Sequence, residues 1–419
     1  MTRKALRSLK SRNFSIYFGG QLISLTGSWI HNVAQSWLVY RMTGSAAWLG
    51  AFVFLEQLPS FLLSPFSAAL LDRVPLGRAI FSTQAALSLV ALSMGALAIT
   101  GHLTPATLAL LVLINGVVNA FDITARSAFL AEMVPSQDIP NAIGLHSVIF
   151  NAARIAGPLV AGAVVAQRGE GACFLINGFT FWPLLIGLGL MSGARLRTAA
   201  APLPRSYLGS IRDGFHYAWR EKAVRTPLLQ IAVACFTGYA HLVLLPVFVA
   251  KTFSGDAPLL GAMASSVGIG AIAGSLALAA RVGTVGLERT ARVSGLALAA
   301  TMCLFAASSN LPFSLALLTL AGFFMVNHMS ATTVLLQSCL PTALRTRVMS
   351  IHTMAHTGIS PLGALVAGYL AETHGAAAAV AVFAGMLAVG VGSFALVSAQ
   401  EASTVVDAVM EPSDKADAG

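Results

Sequence analysis

Between Phe14 and Tyr40 the sequence is FSIYFGGQLISLTGSWIHNVAQSWLVY, a stretch without Asp, Glu, Lys or Arg. About 20 apolar residues are enough to cross the hydrocarbon core of a bilayer as a helix. The stretch is too long for the core of a signal peptide, and no small-residue cleavage site follows it. It therefore predicts a first membrane helix that is retained. A basic head precedes it, with Arg3, Lys4, Arg7, Lys10 and Arg12.

Eleven further apolar segments follow this first one. They are residues 46–71, 79–100, 106–130, 141–166, 172–193, 227–250, 259–280, 293–308, 312–337, 348–371 and 375–397. Of the 419 residues, 56% are hydrophobic and 10% are charged, whereas roughly a quarter of a soluble globular protein is charged. The mean hydropathy is +0.78. The sequence thus predicts an all-α integral membrane protein with twelve transmembrane helices and argues against an ordinary soluble protein.

The net charge of +9 is explained by membrane orientation and needs no nucleic-acid partner. With the N-terminus in the cytoplasm, the inside segments hold 21 of the 25 Lys and Arg residues and the outside loops hold three. Because basic residues collect on the cytoplasmic side, both termini are predicted to be cytoplasmic in the cytoplasmic (inner) membrane. The predicted organisation is a basic head (1–13), a six-helix bundle (14–193), a cytoplasmic linker (194–226), a second six-helix bundle (227–397) and a disordered cytoplasmic tail (398–419).

The two halves resemble each other at an offset of 206 residues. This shift superimposes Leu159-Val-Ala-Gly162 on Leu365-Val-Ala-Gly368, and Gly116, Pro135 and His146 on Gly322, Pro341 and His352. Parallel repeats on either side of a long linker are typical of secondary transporters.

Several motifs resemble one transporter superfamily. The segment Ser67-Ala-Ala-Leu-Leu-Asp72-Arg73-Val-Pro-Leu-Gly77-Arg78 is similar to the G-x-x-x-D-R-x-G-R signature of the major facilitator superfamily, with Ala68 in place of Gly and two extra residues before Gly77. Further stretches resemble its drug- and siderophore-exporting branch, which contains the bacterial enterobactin exporter. They are Asn119-Ala-Phe-Asp122-Ile-Thr-Ala-Arg126-Ser-Ala-Phe, Asn151-Ala-Ala-Arg154-Ile-Ala-Gly157-Pro158-Leu-Val-Ala-Gly162, Arg347-Val-Met-Ser and Pro361-Leu-Gly-Ala-Leu-Val-Ala-Gly368.

The resemblance implies a fold and a set of roles. It implies an exporter that works by alternating access, with a gate at Asp72, Arg73 and Arg78. Because the sequence contains no nucleotide-binding motif, we expect an ion gradient to drive transport, with proton antiport as the first hypothesis. The resemblance also implies that helices 1, 4, 7 and 10 line a central cavity and that helices 5 and 8 meet between the bundles. The helix-packing motif Gly157, Pro158 and Gly162 matches one found in antiporters, although ordinary tight packing would produce the same residues.

Polar residues recur at helical spacing on those four helices. On helix 1 they are spaced by three or four residues, which places them on one face. The predicted cavity residues are Gln21, Ser28, His31, Gln35, Asn115, Asn119, His241, Asn327 and His328. The alternative is hydrogen bonding between neighbouring helices, at about 0.6 kcal/mol for each bond.

Four Asp, Glu or Arg residues fall within predicted spans: Glu56, Asp122, Arg126 and Arg154. A charge at that depth costs at least about 2.5 kcal/mol unless it is paired or hydrated. Asp122 and Arg126 are four residues apart and can pair. Arg154 is either neutralised by Asp122 or Glu56, or serves substrate or proton coupling, or extends to the interface. Glu56 is the first candidate for carrying a proton, because an apolar surrounding favours a neutral carboxyl group.

No other chemistry is indicated by the sequence. Cys173, Cys235, Cys303 and Cys339 are isolated, which predicts neither disulfides nor zinc. His352 and His356 have a metal-binding spacing but no evident third ligand. No catalytic or nucleotide-binding motif is present, so we expect no enzyme, metal or cofactor.

The predicted partners are a small organic substrate, protons and the lipid bilayer, with the monomer as the working unit. The stripes contain few acids and Arg154 adds a positive charge, which favours a neutral or anionic substrate. An uptake permease, a lipid translocator and a non-transporting receptor or scaffold remain alternatives.

Overall fold

Six consecutive helices form the first half of the computed structural model, which describes residues 7–71, 74–191, 207–281 and 286–410. They are α1 (Arg12–Thr43), α2 (Ala46–Leu71), α3 (Leu76–Ile99), α4 (Pro105–Glu132), α5 (Ile139–Arg168) and α6, which runs over Glu170–Thr180 and Trp182–Leu190. Short 3-10 turns at Arg7–Lys10 and Ser136–Asp138 precede α1 and α5. These elements are the N-terminal bundle.

The second half consists of a linker helix and six more helices, which we call the C-terminal bundle. The linker helix is α7 (Tyr207–Arg220). The bundle contains α8 (Lys222–Thr237, Ala240–Val243, Leu245–Val247 and a π turn, Phe248–Thr252), α9 (Ala257–Ala279), α10 (Leu287–Ala307), α11 (Leu311–Ser338), α12 (Thr342–Met354, a π turn Ala355–Ile359, and Ser360–His374) and α13 (Ala376–Met410).

Local sequence sets several helix ends. The Ser11 hydroxyl accepts a hydrogen bond from the Phe14 N–H at 3.5 Å and caps α1, as small polar residues commonly do. Gly44 ends α1 with a φ of 63°, a conformation that lacks a steric penalty only for glycine. Thr104 and Thr107 form a reciprocal cap at the start of α4. The sequence therefore marks these boundaries locally.

All twelve predicted spans coincide with helices, and the all-α fold of two six-helix bundles is confirmed. Ten helical segments of the described chain are long and apolar enough to cross a membrane. The other two of the twelve, α1 and α12, carry polar faces that lower their mean hydropathy. Proline interrupts α8 and α12, because Pro246 and Pro361 cannot donate a helical hydrogen bond.

The last helix extends into the predicted tail, and the disorder of residues 398–419 stays a prediction. The backbone of α13 continues as a helix to Met410, because the sequence contains neither Gly nor Pro between Ala395 and Met410 and first reaches Pro412 beyond it. Residues 411–419 lie outside the described part of the chain.

The bundles meet along two helix pairs, α2 with α12 and α5 with α9. A Cβ added at Gly50 would collide with the backbone oxygen of Ala364, and one at Gly162 would lie 2.8 Å from Pro258 Cα. Glycine therefore permits the backbones of the two bundles to touch. The predicted meeting of the fifth and eighth spans is confirmed by the α5–α9 pair.

These contacts lie towards one end of the molecule. We call the end with α7 and residues 133–138 the linker end, and the end with the α1–α2 turn the far end. Between α2 and α12, contacts extend from the far-end pair Ala46 and Gly368 to Phe61 and Gly358. Nearer the linker end, Leu62, Phe66 and Leu70 on α2 are exposed. The bundles thus touch in their far-end halves.

Candidate functional site

A cavity of about 500 Å³ lies in the N-terminal bundle. Six predicted residues from α1, α2 and α4 line it: Ser28, His31, Glu56, Asn115, Asn119 and Arg126. Sequence reasoning missed other polar wall residues, namely Asn32, Gln57, Ser60, Gln84 and Asn177. Gln57 adjoins Glu56 in the sequence and could have been noticed. Gln84 and Asn177 lie on the third and sixth spans, where no polar stripe was expected.

A hydrogen-bonded chain ends at the Glu56 carboxylate. The His31 Nε2–H donates to Gln35 Oε1 at 3.0 Å, and Gln35 Nε2 donates to Glu56 Oε2 at 3.3 Å. Asn115 Nδ2 lies 3.5 Å from the other carboxylate oxygen. No ion pair between described residues includes Glu56. Its negative charge is therefore balanced by amide dipoles and by no ion pair among the described residues.

A second cavity of about 560 Å³ continues from the first towards the linker end. The two share Leu25, Ile123, Arg126 and Phe150 as wall residues. The second extends past Arg126 and His146 to Ile139, in the first turn of α5. Together they form a route from the linker end to Glu56.

The ion pair of Asp122 with Arg126 borders this route, as the spacing predicts. Arg126 Nε lies 2.7 Å from Asp122 Oδ2. Asp122 is fully buried, and its Oδ1 accepts hydrogen bonds from Thr83 Oγ1 at 2.7 Å and Gln84 Nε2 at 2.9 Å. A buried carboxylate needs such partners. Asp122 therefore links α4 to α3 and also pairs with Arg126 on its own helix.

Arg154 has neither of the carboxylate partners that the sequence suggested for it. No ion pair between described residues includes Arg154, and its guanidinium lies 5.8 Å from the centre of the Trp29 ring. A Cβ added at Gly268 of α9, in the other bundle, would lie 3.2 Å from the Arg154 carbonyl oxygen. Arg154 thus lies at the seam between the bundles, with its guanidinium over a wall residue of the cavity.

The polar residues predicted on the seventh and tenth spans, which are α8 and α11 of the structure, are buried within the C-terminal bundle. The His328 Nδ1–H donates to the Ala291 carbonyl at 2.7 Å, and Asn327 donates to the Phe323 carbonyl at 2.9 Å. His241 is 1% exposed. These three residues are absent from the walls of the two cavities described above, because α8 and α11 belong to the other bundle.

His352 and His356 bind different partners. His352 Nε2 lies 3.2 Å from Thr333 Oγ1 on α11, whereas His356 faces Tyr239 on α8. The two rings share a helix face but hold separate neighbouring helices. Their observed contacts are therefore those of interhelical hydrogen bonds.

The remaining predicted residues of α1 and α5 have packing positions. Gln21 is fully buried and lies outside both cavity walls. Gly157 packs on Trp29 of α1, and the Pro158 carbonyl meets Gly261 of α9. The Ser265 hydroxyl donates to the Ile155 carbonyl at 2.8 Å, next to the carbonyl that Pro158 deprives of its helical donor.

The predicted gate is only partly within the described chain. Arg78 is exposed on the first turn of α3. Asp72 and Arg73 lie outside the described residues.

A carboxylate of the C-terminal bundle caps a helix of the N-terminal bundle at the far end. Glu372 of α12 accepts hydrogen bonds from Ser45 Oγ at 2.9 Å, the Ala46 N–H at 2.7 Å and the Ala47 N–H at 3.3 Å. These groups form the start of α2, where free N–H groups attract a negative charge. The contact joins the two bundles, and separating them at this end would break it.

Comparisons with known proteins agree with this architecture. The chain matches the family model of transmembrane secretion effectors over residues 4–416. It is 23% identical to the staphyloferrin A transporter of Staphylococcus aureus over 366 residues, covering 86% of this chain and 89% of that protein. It is 25% identical to the multidrug efflux pump Tap of Mycolicibacterium fortuitum over 360 residues, covering 83% of this chain and 87% of the pump.

Solved structures of transporters share the fold. The nucleoside transporter NupG superimposes with a TM-score of 0.70 at 16% identity, covering 93% of this chain and 98% of that one. A bacterial homologue of the iron transporter ferroportin, in an inward-facing state, has a TM-score of 0.72 at 16% identity, covering 91% and 98%. The chain belongs to the transmembrane secretion effector family of the major facilitator superfamily and is a multi-pass membrane transporter.

Proposed function

We propose that this transporter exports a small organic molecule, of the drug or siderophore kind, across the cytoplasmic membrane in exchange for protons. The observation that carries the proposal is the Glu56 carboxylate, held by Gln35 and Asn115 in the wall of a cavity. Protonation of Glu56 would turn one of its oxygens from acceptor into donor and rearrange the His31 and Gln35 chain. That change is local and reversible, as coupling requires.

The direction of the open route is compatible with export. The cavities extend to the linker end, which the distribution of Lys and Arg assigns to the cytoplasm. The far end is closed by contacts such as those of Glu372. An exporter in this state collects its substrate from the cytoplasm, and rocking of the bundles would then open the far end.

The orientation has a direct test. Single cysteines at Gly101 and Gly375, in a background without other cysteines, should react with an impermeant thiol reagent added to intact cells. A cysteine at Leu203 should not. Labelling at position 203 in intact cells would reverse the proposed direction of the route.

The proposed substrate is neutral or anionic. Arg154 has no carboxylate partner among the described residues and lies over the ring of Trp29, which lines the cavity, while Arg154 itself is not among the wall residues. It is a fixed positive charge that an acidic group, such as a carboxylate or catecholate, can pair with. The names of the relatives, a staphyloferrin A transporter and a multidrug efflux pump, are compatible with such substrates.

Identification of the substrate comes first in the test. The gene is deleted, and mass spectrometry compares cells with medium. The substrate of an exporter should accumulate in the cells and fall in the medium. A compound that is instead depleted from the cells and remains outside would support the alternative, an uptake permease.

Coupling is then tested in reconstituted vesicles with that substrate. We expect Glu56→Gln to abolish transport driven by a pH gradient while retaining substrate exchange, because the amide preserves the shape and hydrogen bonding of the site but carries no proton. Glu132→Gln, an exposed carboxylate at the end of α4, is the matched control and should keep both activities. Loss of exchange together with pH-driven transport in the Glu56 variant would assign Glu56 to binding or folding instead.

A further inference from the structure

The linker helix α7 has two different faces. Gly214 and Ala218 are buried, four residues apart. A Cβ at Gly214 would lie 3.2 Å from the Cβ of Arg347 on α12, and Ala218 belongs to a core cluster with Leu340 and Val348. This face fixes α7 to the C-terminal bundle.

The opposite face of α7 is aromatic and basic. Phe215 and Trp219 are 54% and 57% exposed, and their rings stack with centroids 6.2 Å apart. Arg212, His216 and Arg220 are exposed beside them. Exposed large aromatic side chains that lie together on a surface mark a site that a partner or a membrane can cover.

Arginine extends this face beyond the end of the helix. The Arg225 guanidinium lies 6.0 Å from the centre of the Trp219 ring, and its Nη1 donates to the Trp219 carbonyl at 3.4 Å. From Arg212 to Arg225 the sequence holds four basic and two acidic residues. The face therefore combines apolar rings with a net positive charge.

The position of α7 in the chain indicates which kind of partner this face binds. Only Glu221 separates α7 from α8, and the segment Lys222–Thr252 is long and apolar enough to cross a membrane. The exposed rings thus lie where a membrane span begins. Trp and Arg are favoured at that depth, where rings enter the headgroup region and guanidinium groups meet lipid phosphates.

We propose that the face formed by Arg212, Phe215, Trp219, Arg220 and Arg225 binds the headgroups of anionic phospholipids. The rings would insert among the headgroups, and the arginines would pair with phosphate oxygens. Since α7 is packed on the first turns of α12, the bound lipid would hold the linker end of the C-terminal bundle at the interface. This inference does not depend on the substrate or on proton coupling.

Lipid quenching of tryptophan fluorescence tests the proposal in the intact protein. The protein and its Trp219→Phe variant are reconstituted into vesicles containing brominated phosphatidylglycerol or brominated phosphatidylcholine at equal mole fraction. The difference between the two proteins isolates Trp219 from the other four tryptophans. We expect the anionic brominated lipid to quench this signal about twofold more strongly than the zwitterionic one.

The arginines are tested in the same assay. Arg212→Gln with Arg220→Gln should remove the preference for phosphatidylglycerol, so that the roughly twofold difference in quenching between the two lipids disappears. Arg289→Gln, an exposed residue in the first turn of α10, should leave it unchanged. Unaltered thermal unfolding of each variant verifies the fold.

Two outcomes would overturn the proposal. Equal quenching by both lipids, insensitive to the arginine changes, would mean that only the rings contact the bilayer. Quenching of Trp219 by aqueous iodide and by neither lipid would place the face in water, where a soluble protein or a second copy of the chain could cover it.

Discussion

The two bundles share a helix arrangement but differ in the chemistry at membrane depth. The predicted spans of the N-terminal bundle contain Glu56, Asp122, Arg126 and Arg154, whereas those of the C-terminal bundle contain no Asp, Glu, Lys or Arg. The three ion pairs between described residues also lie in the N-terminal half. Repeated helices therefore do not imply repeated chemistry.

One pair of equivalent positions makes the difference concrete. At the offset of 206 residues, Asp122 corresponds to His328. Each is fully buried and joins the fourth helix of its bundle to the third: Asp122 binds Thr83 and Gln84 of α3, and His328 binds the Ala291 carbonyl of α10. The structural link is shared by the halves, while the charge is confined to one of them.

The largest expected loss of stability comes from removing the cation that pairs with Asp122. Arg126→Gln leaves the Asp122 carboxylate buried without its cation, which should lower the free energy of unfolding by about 3–5 kcal/mol. Thermal or denaturant unfolding in a mild detergent would measure the loss.

A double variant separates charge from packing at the same place. Asp122→Asn with Arg126→Gln removes both charges and keeps hydrogen-bonding groups of similar size. It should be more stable than Arg126→Gln alone, because no unpaired charge remains. A double variant as unstable as the single one would show that the packing of Arg126, and not its charge, is what α4 requires.

The uncharged link at His328 should contribute less to the free energy of unfolding. His328→Leu removes one hydrogen bond to a backbone carbonyl, for which we expect a loss of about 1 kcal/mol in the free energy of unfolding. The same unfolding assay measures it. A loss as large as that of Arg126→Gln would contradict the idea that charge distinguishes the two bundles.

The smallest effect on stability is expected at the contact between the bundles. A change there should instead alter the conformation. Burial alone would raise the pKa of Glu372, but hydrogen bonds from Ser45, Ala47 and Ala46, with the charge of Lys251, lower the pKa overall. A lowered pKa means that the contact is present above the ordinary carboxyl pKa and is lost as the pH falls through the folded-state value. Glu372→Gln should mimic that loss at neutral pH.

Spin labels measure this change. Distances between labels at His102 and Ala377, both exposed near the far end, should lengthen or broaden in the Glu372→Gln variant relative to the unchanged protein. Glu288→Gln, an exposed carboxylate at the linker end, is the control. Identical distance distributions in all three proteins would mean that glycine packing alone closes the far end.

The candidate site was predicted in part. The i,i+4 spacing of Asp122 and Arg126 was sufficient to predict their pairing, because both partners lie on one helix. Gln84 and Thr83, which complete the surroundings of Asp122, come from α3 and have no sequence relation to it. The contact of Arg154 with Trp29 depends on how α5 crosses α1, so the carboxylate partners suggested by the sequence were plausible but wrong.

The sequence by itself determined the class of molecule. Apolar segments long enough to cross a bilayer, a repeat at 206 residues and a family of short motifs establish twelve helices in two bundles, because hydrophobic length is a local property of the chain. Which polar stripe faces which neighbour was decided by tertiary structure alone. A periodicity gives the face of a helix, but the rotation and crossing of the helices place Glu56 on a cavity and His328 inside the opposite bundle.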